Sequence, residues 1–137
     1  MVEDFKPYRS FVSHILSAKK DLQVICEIGD GLQAVKKAQE LHPDLILLDI
    51  GLPGLSGIEA ARRILKLIPK SKILFLTQES SPEVASEAIN LGGCGYVIKS
   101  QAESDLLAAV DAALRGECFV SNELNGSDSS TNGSAAR

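Results

Sequence analysis

The chain is poor in the residues that build thiolate and imidazole sites. Its three cysteines, Cys26, Cys94 and Cys118, form no CxxC pair and keep no metal-ligand spacing. An odd number of scattered thiols argues against a disulfide framework and a thiolate zinc centre. Cys26 lies in an apolar run and reads as core. The two histidines, His14 and His42, have no second ligand nearby and read as surface or packing residues. Positive charge is also short, with 14 Lys and Arg against 18 Asp and Glu and a net charge of −4. That balance leaves no basic footprint for nucleic acid, so no direct nucleic-acid binding is expected. No apolar run approaches the ~18 residues of a membrane span, and no signal peptide opens the chain. No membrane association is expected, and the expected location is the cytoplasm.

What remains is an ordinary globular composition. At 137 residues, with 45% hydrophobic and 23% charged, the chain reads as one domain with a packed core. Apolar residues at Tyr8, Phe11, Val12, Ile15 and Leu16 predict a helix over 7–18 with Pro7 near its first turn. Residues 22–28 predict a β-branched strand. A second helix presents Leu32, Val35, Ala38 and Leu41, and the Pro43 step ends it. Residues 45–48 are a continuous apolar run ending at Asp49. Helices over 57–67, 82–91 and 102–115 alternate with apolar runs ending at Thr77 and Lys99. Ser81 and Pro82 suit the start of the fourth helix. This alternation predicts a doubly wound, parallel α/β sheet. From Asn125 onward the chain is small and polar, and residues 121–137 are expected to be a disordered tail or linker remnant, leaving residues 1–120 as the folded domain.

Four polar positions follow strand ends: Glu3 with Asp4, Asp49, Thr77 and Lys99. In an open α/β sheet the carboxyl ends of the strands form the ligand-binding rim. Carboxylates, a hydroxyl and one ammonium on that rim suit a hard divalent cation beside a phosphoryl group. An Asp carboxylate is also a phosphoryl nucleophile. Taken singly, each residue has a plainer reading. Asp49 caps a turn, Lys99 is a surface charge, Thr77 caps a helix, Tyr96 is core packing, and Glu3-Asp4 is a solvated terminus.

Read together, Glu3-Asp4, Leu47-Leu48-Asp49, Pro53-Gly54-Leu55-Ser56-Gly57, Thr77 and Gly95-Tyr96-Val97-Ile98-Lys99 resemble the receiver domain of bacterial two-component response regulators. Lys99-Ser100 and the segment 115–121 are more similar to receivers of LuxR/NarL-type regulators. The resemblance implies a flavodoxin-like sheet of strand order 2-1-3-4-5. It implies that Asp49 accepts a phosphoryl group from a histidine kinase, and that the chain is a signalling domain, not a turnover enzyme. It further implies that Glu3, Asp4, Asp49 and the backbone carbonyl of Gly51 hold Mg²⁺, and that Lys99 pairs with a phosphoryl oxygen. Thr77 and Tyr96 would be the switch pair, and phosphorylation would change partner binding or homodimer formation. The switching face would be the fourth helix, fifth strand and fifth helix, with the first and fifth helices as the alternative. Gly51 and Glu79 occupy positions that tune phosphoryl lifetime in the family.

One departure stands out. Met1 and Val2 alone precede the acidic pair, whereas a central strand usually has ~5 residues. No helix-turn-helix follows either, and a fragment lacking both ends is the simplest expectation. A truncated first strand raises a competing reading, a pseudo-receiver that binds partners without phosphorylation because Glu3 and Asp4 are misplaced. A third, a hydrolase of the haloacid-dehalogenase type, wants a second Asp two residues after the nucleophile, where this chain has Gly51.

Overall fold

The computed structural model describes residues 1–78 and 81–121. Glu79, and the tail beyond Ser121, lie outside the described residues. Four parallel strands, β1 (Leu45–Leu48), β2 (Lys72–Thr77), β3 (Gly95–Ile98) and β4 (Phe119–Val120), form a sheet in chain order. Helices α1 (Lys6–Leu16), α2 (Gly31–Leu41), α3 (Gly57–Leu67), α4 (Pro82–Asn90) and α5 (Ala102–Leu114) connect and cover it. Ahead of β1, Val2 makes single parallel bridges to Ile28 on one side and Leu48 on the other. The spatial order is therefore Ile28, Val2, β1, β2, β3, which is the expected 2-1-3-4-5 arrangement, with β4 added at the far edge.

Side chains along the strands alternate between two apolar layers, as a sheet covered on both faces requires. Ile46, Leu48, Ile73, Phe75, Tyr96 and Ile98 pack with the small residues of α2, α3 and α4. Leu47, Leu74, Leu76 and Val97 pack with Val12 and Leu16 of α1 and Leu106, Ala109 and Val110 of α5. Local chemistry sets the helix starts. Asp30 accepts from the Gln33 amide at 2.8 Å, and the Ser56 and Ser81 hydroxyls accept from Glu59 and Val84. The end of α2 is His42 in the left-handed conformation, φ 48°, immediately before Pro43. Among the described residues no helix is long and apolar enough to cross a membrane.

Three expectations need correction. Residues 22–28 form no strand ladder, and Ile28 alone makes a bridge. A ladder needs a partner along its length, and the segment finds one only beside Met1 to Glu3. The buried face of α2 is Gly31, Ala34 and Ala38, while Leu32 and Leu41 are exposed. The helix comes so close to the 51–56 loop that a Cβ on Gly31 would sit 2.1 Å from the Leu55 carbonyl oxygen, so its contact face has to be small. Ser121, expected to open the tail, is fully buried. Its amide donates to the Tyr96 carbonyl at 3.0 Å, and its hydroxyl accepts from the Ile98 amide at 3.0 Å.

Candidate phosphoacceptor site

Register brings the strand ends to a common rim. Asp49 directly follows Leu48, the partner of Phe75, and Thr77 pairs with Ile98, the residue before Lys99. Asp49 is 5% exposed and Thr77 3%, so both side chains are buried at the rim. Asp49 Oδ1 accepts from the Gly51 amide at 3.1 Å, and Oδ2 accepts from the Lys99 ammonium at 3.1 Å. The same ammonium lies 2.5 Å from Glu3 Oε1. One cation thus bridges two buried carboxylates.

The short N-terminal segment is held by backbone hydrogen bonds on both sides. The Val2 amide donates to the Leu47 carbonyl at 2.7 Å, and the Asp49 amide to the Val2 carbonyl at 3.0 Å. On the other side the Ile28 amide donates to the Met1 carbonyl, and the Glu3 amide to the Ile28 carbonyl. Arg9 of α1 adds a bond from its guanidinium to the Glu3 carbonyl at 3.0 Å. Hydrogen bonds on both sides hold Glu3 at the rim, where its Oε2 accepts from the Phe5 amide at 2.9 Å. Glu3, Asp4 and Asp49 each offer a carboxylate oxygen within 4.8 Å of one another, Asp4 from the exposed side. This arrangement gives no support to the premise that a truncated strand misplaces Glu3 and Asp4.

The electrostatics follow from burial and pairing. Burial pushes the Glu3 carboxyl above its ordinary value, against the pull of Lys99 and the Phe5 amide. Burial also works to discharge Lys99, but its bonds to Glu3 and Asp49 win and raise the ammonium above its ordinary value. Lys99 therefore stays charged. Carboxylate oxygens from Glu3, Asp4 and Asp49 are hard donors of the kind Mg²⁺ takes.

Tyr96 is fully buried, with its ring 6.4 Å from that of Phe75 between centroids. Gly51 is exposed, and a Cβ there would meet nothing within 4 Å. In the sequence Tyr8 is one apolar position of the first helix, with nothing to mark it as a site residue. Its hydroxyl donates to the Lys99 carbonyl at 2.9 Å, and the Lys99 ammonium lies 5.0 Å from its ring centroid. Burial, with the charges of Glu3 and Asp49, pushes its hydroxyl pKa up to about 12.

Comparison with known proteins agrees with this geometry. Residues 1–111 match the family described as the response regulator receiver domain. The transcriptional regulatory protein YxjL of Bacillus subtilis is 36% identical over 119 residues, covering 87% of this chain and 55% of YxjL. The response regulator protein VraR of Staphylococcus aureus is 34% identical over 123 residues, covering 90% of this chain and 59% of VraR. A crystal structure of a LuxR-family two-component response regulator from Aurantimonas sp. SI85-9A1 superposes with a TM-score of 0.87 at 30% identity, covering 91% of this chain and 89% of that one. The chain spans a little over half the length of YxjL and VraR. By family match, fold and relatives, this chain belongs to the response regulator receiver domains and is similar to those of LuxR/NarL-type regulators.

Proposed function

We propose that this chain is a cytoplasmic phosphoacceptor domain that takes a phosphoryl group from a histidine kinase onto Asp49 and switches partner binding in response. The observation that carries this reading is the convergence of Asp49, Glu3, Asp4 and Lys99 on one rim. An Asp49 carboxylate oxygen attacks phosphorus, the P–N bond of the phosphohistidine breaks, and its electron pair returns to the imidazole. The product is an acyl phosphate on Asp49. The Gly51 amide and Lys99 orient the carboxylate before attack, which is the positioning this chemistry chiefly needs. Lys99 then follows a phosphoryl oxygen, and the Thr77 hydroxyl donates to another. Glu3, Asp4 and Asp49, with the Gly51 carbonyl, would hold Mg²⁺, and the bound cation would offset charge on the phosphoryl oxygens. Tyr96, beneath Thr77 in the neighbouring strand, would couple the rim to the α4–β3–α5 face. A homodimer or a regulatory partner would read that face, with α1 and α5 as the second surface.

The structure gives no support to the pseudo-receiver reading, since Glu3, Asp4 and Asp49 each offer a carboxylate oxygen within 4.8 Å of one another. On this reading the chain turns over no separate substrate. Incubation with acetyl phosphate and Mg²⁺ is expected to add one phosphoryl group by intact mass, and Asp49→Ala to abolish it. An unchanged adduct on the Ala variant would overturn the assignment, and steady hydrolysis of a generic phosphate ester would favour the hydrolase.

A further inference from the structure

We infer that Tyr8 is a positioning residue for phosphoryl transfer, seating the Lys99 ammonium over the acidic rim. The inference rests on the phosphoacceptor reading above and extends it to a residue outside the motif.

Lys99 carries its charge on a flexible four-carbon stem, so its Nζ has many positions open to it. Two carboxylates attract it, but both belong to the group that the reaction rearranges. Asp49 becomes an acyl phosphate, and Glu3 is a candidate cation ligand. A contact that survives that change has to come from elsewhere. Tyr8 supplies it from the first turns of α1, 91 residues away in sequence. Its ring lies 5.0 Å from Nζ, within cation–π range. Its hydroxyl donates to the Lys99 carbonyl at 2.9 Å, fixing the backbone from which the stem departs. One side chain therefore holds both ends of Lys99. The ring itself is braced by Phe11, 5.5 Å away between centroids. Neither contact occupies a carboxylate oxygen of Glu3, Asp4 or Asp49.

The two contacts are separable. Tyr8→Phe keeps the ring and loses the hydroxyl, while Tyr8→Leu loses both and still fills apolar space. Labelling by acetyl phosphate with Mg²⁺, beryllofluoride affinity and Mg²⁺ affinity are measured on each variant in wild-type and Lys99→Ala backgrounds. Tyr8→Leu is expected to slow labelling and weaken beryllofluoride binding about tenfold, the scale of a partly desolvated cation–π contact. Mg²⁺ affinity should not weaken, since Tyr8 touches no carboxylate of the cation set. Tyr8→Phe should recover most of the loss. In the Lys99→Ala background the Leu change should have no further effect.

Several outcomes overturn the inference. A Leu variant as fast as wild type removes the role, and a full Leu effect without Lys99 shows that Tyr8 acts by another route. A Phe variant as slow as Leu denies the ring its part. Mg²⁺ affinity and melting temperature falling in step with labelling mark a merely structural residue. A wild-type chain that takes no label fails differently, because it removes the phosphoacceptor reading and this inference with it.

Discussion

At Gly57 the backbone has room for a hydrogen atom and nothing larger. A Cβ there would lie 2.0 Å from the Asp49 carbonyl oxygen and 2.7 Å from the Ile50 Cα. Both neighbours are backbone, so neither can swing aside. The close approach has a purpose, since the Gly57 amide donates to the Ile50 carbonyl at 2.8 Å and fixes the start of α3 against the residue after Asp49. Gly57→Ala is expected to cost about 1–3 kcal/mol, as overpacking of a tight contact does. It should also slow phosphoryl labelling by displacing Asp49. Gly51→Ala, where a Cβ meets open space, is the control that keeps its stability. Urea unfolding of both checks this, and equal midpoints for Gly57→Ala and the parent would reject it. Asp49 and Lys99 were legible in sequence because each is a polar residue ending an apolar run. Tyr8 was not, because helical periodicity records which face a side chain takes and not which charge it meets there.

Among the elements, β4 shows how two residues can belong to a sheet. Its ladder is Gly95 with Phe119 and Tyr96 with Val120. The next residue, Ser121, secures it: its hydroxyl accepts from the buried Ile98 amide and donates to Asp105 Oδ2 at 3.3 Å. Strand β3 and helix α5 are thereby joined beside Lys99. Removing that hydroxyl leaves the Ile98 amide buried without its acceptor, and Ser121→Ala is expected to cost about 1–3 kcal/mol. Thermal or urea unfolding checks it, and a loss within error of zero would show that another acceptor replaces the hydroxyl. Sequence could not reveal this strand, because a two-residue ladder has too little alternation to read. The converse error came at residues 22–28, where β-branched residues promised a strand. Propensity reports fitness for a sheet, and pairing decides whether one forms. The three central strands and five helices were legible because their apolar runs and periodic faces are long.

On the scale of the whole molecule, an opening lies beside the N-terminal segment. A cavity of about 510 Å³ lies between residues 21–26 and β1, floored by Leu16, Ala38 and Val110. Val24 and Ile25 are left 39% and 52% exposed. The Met1 ammonium sits at its edge, donating to the Cys26 carbonyl at 2.9 Å, and burial holds it below its ordinary value near 8.0. An amine whose folded value is lowered binds fewer protons folded than unfolded. Between that lowered value and about 8 the unfolded chain therefore holds more protons, and stability rises with pH across this window. Joining about five apolar residues ahead of Met1, enough for a strand of usual length, would convert the ammonium to an amide and continue the parallel pairing into the cavity. Backbone groups of 22–26 and of β1 would gain partners, each worth on the order of 1 kcal/mol, in a domain with only about 5–15 kcal/mol in hand. The extended chain is expected to melt higher, to protect the amides of 22–26 from hydrogen exchange, and to lose the rise in stability toward pH 8. The unextended chain is expected to be marginal or to associate through those open edges. Calorimetric melting at pH 6, 7 and 8, with sedimentation of both chains, decides the matter. A cooperative, monomeric parent chain whose melting temperature neither extension nor pH changes would show that the exposed backbone is already satisfied by water at no cost.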